Sequence, residues 1–237
     1  MRLPASTVGE GPLTNLPDVM NRKANLGFFA VALGASLATS ACSSNAKPRP
    51  LTMQEMVAAD PLPLAVGAKW TYKVNVQRYD AEKDVISAVD LDWTTEVIDA
   101  KETNGVTAFT VRGWPTDLTD FDTVPTPTER VILRSDNSFL WTDAKEPGLD
   151  SAEGWFTWPL VDGQKICPSA ALTYCWQVSA IEIGYSLLFY TGPDEVTYDL
   201  SPGTGVSRFR YSHHGTTNTV EAKLVSYKKG SGKKPTP

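Results

Sequence analysis

Cysteine, histidine and surplus positive charge are all scarce in this chain. Three cysteines occur, Cys42, Cys167 and Cys175, with two histidines, His213 and His214, and no C-x-x-C, which excludes a zinc ribbon or finger. Lys plus Arg number 22 against 27 Asp plus Glu, for a formal net charge of −5. Without a basic surplus there is no electrostatic reason to bind nucleic acid. G-x-S-x-G, P-loop and H-E-x-x-H motifs are missing, and with them the common local signatures of serine-hydrolase, nucleotide and zinc-protease chemistry. No repeat of fixed period is visible, which disfavours an ordinary β-propeller. What is present is a 41% hydrophobic composition, enough for one ordinary core and too apolar for a wholly disordered chain.

The first informative stretch is Ala24–Ala46, which has no charged residue and follows the pair Arg22-Lys23. Its apolar centre, Leu26 to Ala38, reads as the hydrophobic region of a secretory signal. At about 13 residues it is shorter than the roughly 20 that a membrane-spanning helix needs. Residues 1–19 are punctuated by Pro and Gly without periodicity, whereas Met20-Asn-Arg-Lys opens a signal of conventional length. Met20 is therefore the expected start.

Small residues follow, Thr39-Ser40-Ala41, and then Cys42. This run resembles the lipobox of bacterial lipoproteins, in which a dedicated peptidase cuts before a Cys that carries diacylglycerol. Thr39 stands where that family usually has Leu, and Leu37 lies two residues further back. The resemblance implies lipidation at Cys42 and attachment to a membrane through that lipid. Because Ser43, rather than Asp, follows the Cys, it also implies sorting to the outer membrane. Ordinary signal cleavage after Ala41 is the alternative, and it would leave Cys42 as an odd thiol on an exported protein.

Residues 42–63 read as the lipidated Cys and a Ser/Pro-rich tether, with Thr52-Met-Gln-Glu55 spaced as a capping box for one short helix. Residues 229–237 read as a polar tail. Between them, over 64–228, the hydrophobic period is two. Trp70, Tyr72, Val74 and Val76 alternate with Thr71, Lys73 and Asn75, and Val89, Leu91, Trp93 and Val97 alternate with Asp90, Asp92 and Glu96. Phe109, Val111, Val131, Leu133, Phe139, Trp141, Phe209, Tyr211, Val220 and Leu224 continue the habit. The connections 80–84, 101–105, 135–138 and 214–218 carry turn residues, so neighbouring strands are antiparallel. The expectation is a single all-β domain of about eight to eleven antiparallel strands with one short N-terminal helix. With so little helix the sheet has to cover itself, closing as a barrel, half-barrel or sandwich. The opening Gly67-Ala-Lys-Trp70-Thr-Tyr72, the closing Pro202-Gly-Thr-Gly-Val206 and the end Leu224-Val-Ser-Tyr227 resemble β-rich envelope lipoproteins of unassigned function, a likeness that implies a fold more than an activity.

Few residues invite chemistry. Cys167 and Cys175 are the even pair left once Cys42 carries lipid, and in an exported segment they are expected to form a disulfide; a redox pair usually has closer spacing. His213 and His214 are adjacent, so on a strand they face opposite ways and cannot easily share an ion. The acidic loops Asp80/Glu82/Asp84 and Asp117/Asp120/Asp122 lack the Gly and the bidentate Glu of an EF-hand. No metal and no cofactor are expected. Asp150, Glu153 and Asp162 flank Trp155, Phe156 and Trp158, a setting a sugar site could use, or else a loop whose aromatics cap the β core. With Trp93 and Trp141, these three aromatics are the candidate ligand-binding side chains. An inward face this aromatic either lines a partly open pocket or fills a solid interior.

The leading function is accordingly a membrane-anchored envelope lipoprotein with a non-enzymatic binding or assembly role, taking an apolar or glycan ligand or an envelope protein partner. The alternative is an envelope glycoside hydrolase or another polysaccharide-acting enzyme, working through carboxylates near Glu153. Non-reducing peptide mapping of the exported protein is expected to recover Cys167 joined to Cys175. Cys175→Ser is expected to lower stability by somewhat under ~3 kcal/mol, the chain-entropy value for so short a loop.

Overall fold

The structure is a computed structural model that describes residues 59–80, 84–119, 125–136, 138–142, 153–167, 174–215 and 218–232, all within the compact unit Pro48–Pro237. Twelve strands run in chain order: β1 Lys69–Asp80, β2 Val85–Thr103, β3 Val106–Arg112, β4 Glu129–Ser135, β5 Ser138–Thr142, β6 Glu153–Thr157, β7 Lys165–Ile166, β8 Trp176–Ile181, β9 Gly184–Tyr190, β10 Asp194–Ser201, β11 Gly205–His213 and β12 Thr219–Lys228. They form one antiparallel sheet in the order β6-β5-β4-β3-β2-β1-β12-β11-β10-β9-β8-β7, curled into a nearly closed barrel. The all-β expectation therefore holds. The first and last strands pair at the centre, Lys69 opposite Lys228 through Gln77 opposite Thr219, and two meanders spread from that seam.

Turns fall where the sequence placed them. Asn104 (φ 51°) and Gly105 (φ 77°) join β2 to β3, Asp136 (φ 47°) lies between β4 and β5, and Asp84 (φ 52°) precedes β2, all in the left-handed region that Gly, Asn and Asp tolerate best. The short helix expected near Thr52 lies outside the described residues. Within them the regular helix is a 3₁₀ turn, Pro115–Thr119, with Pro115, Asp117 and Leu118 buried and β12 in contact with it. The part of the expected tether that the structure describes is packed down: Leu62 belongs to the core, and Asp60 meets Arg134 at 2.6 Å.

The interior is aromatic. Trp70, Tyr72, Phe139, Trp155, Phe156, Tyr198 and Phe209 are all buried, and their rings touch across the curl. Trp155, on terminal strand β6, meets Tyr198 of β10 at 5.3 Å, and Trp158 meets Tyr185 of β9 at 5.6 Å, so rings bridge the approach of the two ends of the sheet. The polar tips are bonded, as burial of Trp and Tyr demands. Trp70 Nε1 donates to Thr204 O (2.5 Å), Tyr72 Oη to Val206 O (3.0 Å), and Trp114 Nε1 to Tyr198 Oη (3.1 Å).

Gly113 is a node in this packing. Its carbonyl accepts from Trp93 Nε1 at 2.8 Å and from Thr95 Oγ1 at 2.6 Å. At φ 71° a Cβ here would run into the carbonyl oxygen of Thr94, whereas at Gly105 (φ 77°) it would meet open space. Gly113→Ala is thus expected to lower the unfolding free energy by about 1–3 kcal/mol or more, with Gly105→Ala costing about 1 kcal/mol from backbone conformation alone. Urea unfolding of the two variants side by side checks the order.

Candidate functional site

Because β-strand side chains alternate, every residue type kept off the core is collected on the convex face. Register then decides who meets whom. Across β2-β1-β12-β11-β10 one row reads Asp92, Lys73, Lys223, Arg208, Asp199, and the next reads Asp90, Asn75, Glu221, Arg210, Thr197. Lys73 Nζ lies 2.7 Å from Asp92, Asn75 Nδ2 donates to Asp90 at 2.8 Å, and Lys223 Nζ lies 2.9 Å from Glu221, which also receives Arg208. Lys223 foremost, with Arg208, holds the Glu221 carboxyl below the usual carboxylate range, against the opposing effect of burial. Asp199, buried despite its outward position, takes Ser186 Oγ at 2.7 Å and Arg210 Nη2 at 3.2 Å. An open groove of about 500 Å³ runs over this face, lined by Lys73, Asn75, Asp90, Asp92, Glu221 and Lys223 together with Val74 and Leu91. Its chemistry is that of hydrogen bonding and paired charge, and no acid or base in it is poised alone.

A second cluster ties β10 to β11. Asp194 Oδ1 accepts from Tyr211 Oη at 2.6 Å and lies 2.8 Å from His213 Nδ1. The bonds from His213 and then Tyr211 bring the Asp194 carboxyl below its ordinary value. Burial, and next the bond to Asp194, push the Tyr211 hydroxyl up. His214 points the other way, its Nε2 3.9 Å from Glu195 and its ring against Tyr190. The two histidines thus divide between partners, as their adjacency dictates.

The residues singled out from the sequence fall as follows. Trp93, Trp155, Phe156 and Trp158 are buried in the core, turned away from the groove. Trp155 and Phe156 sit on a terminal strand of the sheet rather than on a capping loop. Trp141 and Glu153 are backbone partners of each other in the pairing of β5 with β6, and their side chains lie outside the described residues, as do Cys42, Glu82, Asp120, Asp122 and Asp150. Asp162 Oδ1 accepts from the backbone N of Ala180 at 2.8 Å. Asp117 is buried and takes Thr128 N and Oγ1, each at 2.7 Å, with Arg130 Nη2 at 2.9 Å, an anchor for the loop that leads into β4. Cys167 and Cys175 form a disulfide, Cα atoms 4.2 Å apart. Among the described residues no group of three or more His, Cys, Asp or Glu could hold a metal ion, and no helix is long and apolar enough to cross a membrane. The convex rows were not singled out from the sequence: the period-two charges are visible there, but not which of them become neighbours.

No family model matches the chain, and no curated protein matches it. Among solved structures, a protein from Bacteroides fragilis described as exported and as having a YmcC-like fold is similar over 72% of this chain and 100% of its own, with 11% sequence identity and a TM-score of 0.39. That likeness is too slight to transfer a role.

For Asp194 the sign of the pH effect follows from its lowered value. Its contribution to stability is fully present above the ordinary aspartate pKa of about 3.9 and is lost as pH falls through the lower folded value. Wild type is expected to exceed Asp194→Asn in stability near pH 6, with the gap holding down to about pH 4 and narrowing as pH falls further. Chemical unfolding at stepped pH checks this, and a gap that does not change with pH would contradict it.

Proposed function

We propose that this protein is a bacterial cell-envelope lipoprotein, held by a lipid on Cys42 and sorted to the outer membrane, whose β body has a non-enzymatic binding or assembly role. The observation that carries the reading is the Cys167–Cys175 disulfide. A bond of that kind fits an oxidising compartment, and it leaves Cys42, at the end of an apolar signal-like run, as the odd cysteine. The binding role is supported by where the aromatic surface goes. Trp155, Phe156 and Trp158 pack into the interior, so recognition is assigned to the convex face and to strand edges, where polar groups pair with each other and leave no isolated acid–base couple.

Membrane fractionation and intact mass test the reading together. The native protein is expected in the membrane fraction with a lipid-modified amino terminus at Cys42. Cys42→Ala is expected to move it out of that fraction without loss of the Cys167–Cys175 bond. Unchanged membrane attachment in the variant, or an unmodified amino terminus, would overturn the anchor.

A further inference from the structure

Strand β2 is longer than either neighbour. On one side β1 pairs with it from Val85 to Glu96. On the other β3 pairs only from Glu96 to Thr103, because the chain turns away at Gly113 (φ 71°). Residues 85–92 therefore form an edge with no strand beside it among the described residues. Natural edges of this kind are usually blunted by charged side chains, above all lysine, by proline or by a bulge, and the charges on this one are the acids Asp90 and Asp92. Val85-Ile-Ser-Ala-Val-Asp-Leu-Asp92 contains neither lysine nor proline, and its register with β1 runs without a shift. It is also open to solvent, with Ile86 56% and Val89 51% exposed.

The sheet itself indicates what would fit there. Where β3 does flank β2, the outward acid Glu96 has a cation on each side: Lys69 of β1 at 3.0 Å, and Arg112 of β3 directly opposite, which goes on to Glu129 of β4 at 2.6 Å. From β1 to β4 in this row the signs alternate, the arrangement that stabilises cross-strand pairs. Asp92 has the inner half of that pattern in Lys73 of β1, Asp90 has a neutral donor there, Asn75, and among the described residues neither has a strand on the outer side. A strand laid along this edge in line with β3 would complete it by carrying basic residues opposite Asp90 and Asp92, with alternate apolar residues beside Val89 and Leu91. A second copy of this chain fits less well, since antiparallel self-pairing would line up two edges that each carry Asp84, Asp90 and Asp92.

We propose that the open edge of β2, residues 85–92, is a docking site for an extended segment of a partner protein that has lysine or arginine at every second position and binds by strand addition. This deepens the binding role proposed above by naming a partner class, and its test does not depend on the lipid. The purified full-length protein is titrated with an acetylated synthetic peptide of alternating lysine and valine, and hydrogen exchange is followed at β2. One-to-one binding is expected, with slowed exchange confined to residues 85–92. Affinity is expected to fall roughly tenfold for the Asp90→Asn/Asp92→Asn variant and for a peptide with glutamate in place of lysine, the order of two cross-strand charge pairs. A peptide N-methylated along its pairing edge keeps its charge but cannot join a ladder, and it is expected not to bind. Equal binding of the methylated peptide would reduce the effect to charge adhesion and overturn the proposal. So would absence of binding, or sedimentation showing that the edge is already occupied by a second copy.

Discussion

One constraint governs this molecule: a large sheet with an apolar face and, among the described residues, almost no helix to cover it. Among the described residues the cover comes from the sheet itself together with the segments that fold into its hollow. Curling brings β6 toward β9 and β10, and aromatic rings fill the span because they are the side chains that reach across it. Such rings carry polar tips that cannot be buried bare. Each therefore needs a carbonyl or hydroxyl at a fixed place, and Thr204, Val206, Gly113 and Tyr198 supply them. The turns and the core are in this way mutually dependent: the tight turn before β11 places the Thr204 carbonyl at Trp70, and the start of β11 places that of Val206 at Tyr72.

With Trp93, Trp155, Phe156 and Trp158 packed inside, the polar groups of the sheet collect on its outer face. On the convex face several acids meet a cation across strands, as Asp92 meets Lys73 and Glu96 meets Lys69, and at exposed sites each such pair adds little to stability, about 0–1 kcal/mol. Their consequence lies in specificity, since a neighbouring strand of the wrong sign is penalised. Gly113 links the two sides of the sheet. It anchors Trp93 and Thr95 within, and by ending β3 there it leaves the outer edge of β2 before Glu96 without a paired strand among the described residues.

Much of the fold was legible in advance because a period of two is a direct signature of half-buried strands. The hairpins at 80–85 and 103–106 could be read from their Asp, Asn and Gly. Strands β7 to β10 were harder to see. Tyr185-Ser-Leu-Leu-Phe-Tyr190 is nearly continuous in apolar residues, so its period is obscured, and Lys165–Ile166 is too short to show one. The setting of Trp155, Phe156 and Trp158 was open to two readings because exposed sugar platforms and buried core rings have the same composition. Burial separates them, and burial is a property of the partners, Tyr198 and Tyr185, which lie 43 positions from Trp155 and 27 from Trp158 along a chain folded back on itself.

The sequence by itself determined the apolar, cysteine-terminated segment near the amino end, the all-β class and the antiparallel neighbours, because these depend on local order: runs, alternation and turn residues. Only the tertiary structure decided that the first and last strands meet at the centre of the sheet, that the aromatics point into a shared interior, and that Asp90 and Asp92 lie on an open edge while Glu96, a few residues on, is flanked on both sides. Those outcomes depend on register and on where each strand stops. Both are set by long-range pairing and by a backbone turn such as Gly113, not by the residues whose surroundings they fix.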